Sequence, residues 1–200
     1  MKKLFILLFA ATCMLACKDN PVSKKIKETK QQVSNTKNAV KEIKDVQKDI
    51  EKLQQTEPLT NADLKDWIPE ELHGMKRISY KAGHMGVMQI ASIEAVYANE
   101  DKSKKFKIEV IDGAGPMGAS VTAGMRMMFS QDFEEETEYK TRRTTERGGV
   151  KVIEEYRKNN NNSTIEFMQD DRFYIKGTGT NMDLDETWDN LEEMDADKLG

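Results

Sequence analysis

The chain has 200 residues, with 31 Lys and Arg against 35 Asp and Glu and a net charge of −4. That balance argues against a nucleic-acid-binding protein, whose footprint is a concentrated basic patch. Its two cysteines, Cys13 and Cys17, both lie near the start, so the rest of the fold has neither a disulfide framework nor a Cys-based zinc site.

The first element is a short positive start, Lys2 and Lys3, followed by an almost unbroken apolar run from Leu4 to Leu15. Charged start, apolar run and small residue are the layout of a secretory signal. The run is too short for a mature membrane span, which needs about 20 apolar residues. The residues that follow, Met14-Leu15-Ala16-Cys17, resemble the lipobox of bacterial lipoproteins. The resemblance implies that residues 1–16 are a signal peptide and that Cys17 is acylated as the first mature residue. The partner is then a membrane, reached through lipidated Cys17, and the address is the outer membrane. Each buried CH₂ of an acyl chain contributes about 0.8 kcal/mol to such anchoring. Cys17-Lys18-Asp19-Asn20 is similar to the export signal of surface-exposed lipoproteins in Bacteroidota. The periplasmic and cell-surface sides both stay open.

Residues 17–57 read as a stalk. Val22 to Thr56 contains no Gly or Pro. Val22, Ile26, Thr29, Val33, Thr36, Val40, Ile43, Gln47, Ile50 and Gln54 recur at alternating steps of four and three, a coiled-coil-like seam. Three readings fit a helix over 22–56: a homo-oligomeric stalk, a single helical spacer, or a helix packed on its own domain. A helical spacer is favoured. Charge changes at its end: residues 18–57 hold 10 Lys and 7 acids, whereas residues 58–200 hold 19 Lys and Arg and 28 acids.

Residues 58–200 read as the globular domain. Pro58 ends the stalk helix, and Thr60 or Asn61 caps a short helix over Asn61 to Trp67. Trp67, Ile68 and Leu72 are expected to plug one edge of the core. Met88 to Tyr97 and Phe106 to Val110 read as strands. Met117 to Phe129 reads as a helix, with Met117, Val121, Gly124 and Met128 on the face expected to approach a sheet. Strands follow over Thr137 to Glu146, Val150 to Lys158, Thr164 to Met168 and Arg172 to Lys176. Gly148-Gly149 and Asp170-Asp171 supply the turns. Asp183 to Met194 is an amphipathic helix. The order is strand, strand, helix, four strands, helix. This predicts an α+β fold with an antiparallel sheet of about six strands, preceded by the long N-terminal helix.

Candidate sites are few. Gly113-Ala114-Gly115-Pro116-Met117-Gly118 matches G-x-G-x-x-G and resembles the phosphate-binding turn of flavin and nicotinamide enzymes. Asp112 before it would repel phosphates, and the acidic segment after the helix is no buried parallel strand. A strand-to-helix turn is the expectation, with Gly113, Gly115 and Gly118 as look-alikes and no cofactor. His84, Met85 and Met88, with Met125, Met127 and Met128, resemble thioether clusters that take Cu(I). Core filling by methionine is the simpler expectation. Asn181, Asp183, Asp185 and Glu192 resemble a calcium loop, but Glu186 stands where its glycine belongs, so Asp183 and Glu186 read as a helix cap. Lys140, Arg142, Arg143 and Arg147 alternate with acids and read as a solvated strand face. No catalytic triad is evident. The functional expectation is a non-enzymatic, membrane-anchored binding module. A carrier of Cu(I) or a small hydrophobic ligand is the alternative, and a dinucleotide-dependent enzyme is a more distant one.

Overall fold

The computed structural model describes residues 47–85 and 90–200. Residues 48–200 form one unit built on a single antiparallel sheet of nine strands. Residues 47–55 are helical (α1). α2 spans Asn61–Trp67 and leads into a meander of β1 (Glu71–Leu72), β2 (Met75–Met85), β3 (Ile90–Ala98) and β4 (Lys105–Asp112). α3 (Gly115–Phe129) then crosses the sheet. A second meander follows: β5 (Glu134–Glu136), β6 (Lys140–Arg147), β7 (Val150–Arg157), β8 (Asn162–Gln169) and β9 (Phe173–Thr180). α4 (Leu184–Glu193) and a 3-10 turn, Ala196–Leu199, complete the chain.

The strand order β1-β2-β3-β4-β9-β8-β7-β6-β5 explains the role of α3. The first meander runs inward from one edge to the centre. α3 carries the chain over one face to the far edge. The second meander then returns, so that β9 pairs with β4 from Lys105↔Thr180 to Asp112↔Phe173.

Alternation within the strands sorts side chains onto two faces. One face is the main core. Phe106, Ile108 and Val110 of β4, Phe173 and Ile175 of β9, and Ile165 and Phe167 of β8 are buried there. With them lie Leu64 of α2, Ile68, Leu72, Leu191 and Met194. α4 lies so close that a Cβ on Gly177 would meet the Leu191 side chain at 2.9 Å. Both helices have the reciprocal cap that their sequences call for: Thr60 with Asp63, and Asp183 with Glu186.

The expectation of an α+β fold on about six strands is corrected: there are nine, and the described chain is mostly sheet. The three extra strands lie toward the sheet edges. β1 and β5 have only two and three residues. β2 carries Lys76, Arg77, Lys81 and Gly83, and a register shift between Arg77 and Ser79 breaks its alternation. Edge strands need not bury both faces, so the apolar pattern that marks a central strand is missing. The long N-terminal helix expected over 22–56 is not seen: most of it lies outside the described residues, and helix is described only over 47–55.

Candidate binding face

The second face of the sheet divides in two. Under α3 it is apolar: Phe129, Ile153 and Tyr174 are buried together, with Ile111, Met125, Phe133 and Met168 packed on them. Beyond α3 it is charged. Lys81, Glu94, Glu109, Lys176 and Glu166 stand in one cross-strand row over β2, β3, β4, β9 and β8. A second row runs Lys107, Thr178, Thr164, Glu155 and Arg142 over β4, β9, β8, β7 and β6.

The charges interlock. Glu94 and Glu109 are direct cross-strand partners, a placement that like charges disfavour. Lys107 offsets it, with Nζ 2.9 Å from Glu109 and 3.7 Å from Glu94. Burial works against the Lys107 ammonium, but the two carboxylates outweigh it and raise its pKa. Lys176 lies 3.6 Å from Glu166 and Arg142 3.8 Å from Glu155. The Arg142 guanidinium also sits 5.0 Å over the Phe133 ring.

Where the apolar and charged halves meet, the sheet holds a concavity of about 410 Å³. Lys81, Ser92, Glu94, Glu109, Ile111, Tyr174 and Lys176 line it. This is within the range of small-ligand sites, about 300–1,000 Å³. Tyr174 stands at the boundary. Burial pushes its phenol up, and the nearby Glu166 and Glu109 push it further. At neutral pH it is a neutral donor, not a base. The arrangement can hold an amphipathic ligand, apolar toward Ile111 and Tyr174 and charged toward the ion-paired rows. It offers no activated nucleophile. Among the described residues, no group of three His, Cys, Asp or Glu side chains is placed to hold a metal ion.

No protein family matches the chain, and no curated protein does. Among solved structures, the crystal structure of a GTP binding regulator from Thermotoga maritima is similar over 68% of this chain and 84% of that one. The identity is 11% and the TM-score 0.32. A likeness of that size carries neither a fold nor a function across.

The glycine turn has a different use from the one its pattern resembles. Gly113 N donates to Arg172 O (2.9 Å), and a Cβ there would meet that oxygen at 2.5 Å and Thr122 Oγ1 at 2.6 Å. A Cβ on Gly118 would meet Asp112 O at 2.6 Å. Gly115 has φ +78°, which glycine adopts without strain, and lies against Pro58. Two donors at the start of α3 are taken by the chain itself. Ala114 N donates to Asp112 Oδ1 (2.9 Å) and Gly115 N to Thr56 O (3.1 Å). Asp112 is fully buried and also accepts from Leu59 N (2.8 Å) and from Arg172 Nε and Nη2 (2.7 and 2.9 Å). The glycines thus let β4, α3 and the β8–β9 turn approach closely around a buried ion pair.

The other sequence candidates are scattered. Cys17 and Met88 lie outside the described residues, as do the side chains of His84 and Met85. Met125 packs toward Tyr174, whereas Met127 and Met128 are exposed, so α3 does not gather these sulfurs. The face of α3 expected to meet the sheet is in fact the outer one. Met117 and Met128 are exposed and Gly124 has open space beside it, while Gly118, Ala119, Thr122 and Phe129 face inward. Asp183 caps α4 and Asp185 pairs with Arg147, which accounts for two residues of the calcium-like pattern. The basic residues of β6 are not one solvated face. Arg143 and Arg147 turn to the core side, where both bind the buried Glu154 (2.7 and 2.8 Å). Asp112 and Glu154 were not singled out from sequence as buried acids. The available signal was an acid inside an apolar run, Ile111-Asp112-Gly113 and Val152-Ile153-Glu154.

Proposed function

We propose that this protein is a membrane-anchored lipoprotein of the bacterial cell envelope whose 58–200 domain is a non-enzymatic binding module. The observation that carries the reading is Met14-Leu15-Ala16-Cys17 after an apolar run, with Cys17 the sole cysteine of the mature chain. The concavity beside Tyr174 supports the binding role, because its Glu94, Glu109 and Lys176 are held in ion pairs rather than poised for proton transfer. Among the described residues no helix is long and apolar enough to cross a membrane, and an acyl anchor needs none.

The test is the mass of the mature N-terminus from envelope fractions, with Cys17→Ala as the control. An acylated residue 17, lost together with membrane retention in Cys17→Ala, is the expected result. A mature chain that still carries residues 1–16, or an unmodified Cys17, refutes the anchor. Protease treatment of intact cells then separates cell-surface from periplasmic exposure. A second reading, a carrier of a small hydrophobic ligand, is favoured by the apolar floor of the same concavity. Organic extraction of the purified protein tests it: a stoichiometric lipid-like molecule supports a carrier.

A further inference from the structure

α3 is built inside out. Its outer stripe, Met117, Ser120, Val121, Gly124, Met127 and Met128, is uncharged along its whole length. Met127 is 67% exposed, Met117 45% and Met128 43%. These are three of the six exposed large hydrophobic residues of the described chain. The single charged residue of the helix, Arg126, falls between Thr122 and Phe129 on the sheet side, where its Nε and Nη2 are buried without a hydrogen-bond partner. A surface helix normally has the opposite polarity, and a helix that is apolar outward has that face covered in its working state.

We propose that the outer stripe of α3 lies against a lipid surface, as a reversible second contact beside the acyl anchor. The inference rests on the lipoprotein reading above. Two observations select lipid. First, the chain enters the domain near this helix: α1 leads into Thr56, whose O accepts from Gly115 N at the start of α3, and Gly115 packs on Pro58. The segment between the acylated Cys17 and α1 therefore tethers the domain within about 15 Å of the start of α3. A tether raises the effective concentration of the stripe at the membrane by an amount its length and stiffness set, so a small apolar stripe can suffice where it would not bind from solution. Second, α3 contains no acid, although residues 58–200 carry 28 acids against 19 bases. It can meet a bilayer without burying a carboxylate. The methionines suit the task, since their flexible thioethers adapt to a disordered apolar phase. The acidic remainder of the domain selects an uncharged, zwitterionic headgroup layer over an anionic one.

The experiment uses the acylated full-length mature protein in phosphatidylcholine vesicles that carry doxyl-labelled lipid. A Ser120→Cys variant takes an environment-sensitive fluorophore on α3, and a Glu100→Cys variant takes it on the exposed β3–β4 loop as the control. Quenching and a blue shift at position 120, absent at position 100, are expected. Both are lost when Met117→Ser, Met127→Ser and Met128→Ser are added, or reduced by Met127→Ser alone, while the protein still floats with the vesicles. No quenching at position 120 on vesicles that the protein floats with overturns the proposal and leaves the anchor standing. A blue shift that follows the protein-to-lipid ratio without lipid quenching also overturns it, because a second copy then covers the stripe. Failure to float, with no acyl mass on Cys17, refutes the anchor reading itself and the proposal with it.

Discussion

Asp112→Ala tests how the β4–α3 turn is held. The Asp112 carboxylate is fully buried and accepts four hydrogen bonds, two from the Arg172 guanidinium and two from the backbone N–H groups of Leu59 and Ala114. Removing one partner of a buried ion pair costs about 3–5 kcal/mol, because the other charge is left uncompensated. The two orphaned amides add about 1 kcal/mol each where water does not reach them. Arg172 is 18% exposed and recovers part of its hydration, which places the net loss at about 4 kcal/mol. In a domain of this size each kcal/mol lowers Tm by about 2–4 °C, so a fall of about 8–16 °C is expected. Asp112→Asn keeps one acceptor oxygen but turns an amide toward the guanidinium, and is expected to lose about half as much. Urea denaturation of the purified chain measures both variants, and hydrogen exchange at Leu59 and Ala114 reports the loss locally. A loss under about 1 kcal/mol for Asp112→Ala would refute the argument that this pair organises the turn.

Glu154→Ala is expected to cost about 3 kcal/mol, because it leaves Arg147 without its buried partner, while Asp185→Ala, 85% exposed on the same network, stays within about 0.5 kcal/mol. Equal losses in chemical denaturation would refute the claim that burial makes the inner pair matter more than the outer one. Burial raises the pKa of both Tyr97 and Tyr174, so the folded state prefers their neutral phenols. That stability is complete below the ordinary tyrosine value near 10 and falls as pH rises above it. Ultraviolet titration should show these two of the five tyrosines ionising above the ordinary tyrosine value, and Tyr174→Phe should blunt the alkaline loss. The side-chain and backbone hydrogen bonds from Thr60 hold the Asp63 carboxyl below its usual range. Its contribution is present above the unfolded carboxylate pKa and disappears as pH falls through the lower, folded value. The protection of the Asn61–Trp67 amides, relative to their intrinsic exchange rates, should therefore fall in acid, and Thr60→Ala should remove that dependence.

The elements legible in the sequence are those with a local cause. The α4 cap follows from Asp183 with Glu186, and of the two candidates Thr60 and Asn61 it is Thr60 that caps α2. The Asp170-Asp171 turn follows from two residues that tolerate positive φ, 53° at each. Ile165, Phe167, Phe173 and Ile175 share the core face as their period of two requires. β1, β2 and β5 were not legible, because an edge strand is defined by its neighbour's hydrogen bonds rather than by its own apolar pattern. The orientation of α3 was misread for a related reason. Its large apolar side chains lie mostly outward, and small residues with Arg126 lie inward, so the apolar pattern pointed to the wrong side.

The candidate face shows the same division more sharply. Lys81, Glu94, Glu109, Lys176 and Glu166 are spread over nearly a hundred residues and read singly as ordinary solvated charges. Only the register of five strands sets them in one row beside Tyr174. What the sequence determined by itself was local: a lipobox-like motif, caps, turns and the alternation of the central strands, each specified within a few residues. The tertiary structure alone decided which acids are buried, what the glycine turn packs against, and which side of α3 faces outward. Those outcomes depend on which distant segment arrives to exclude water, and no short stretch of the chain encodes that.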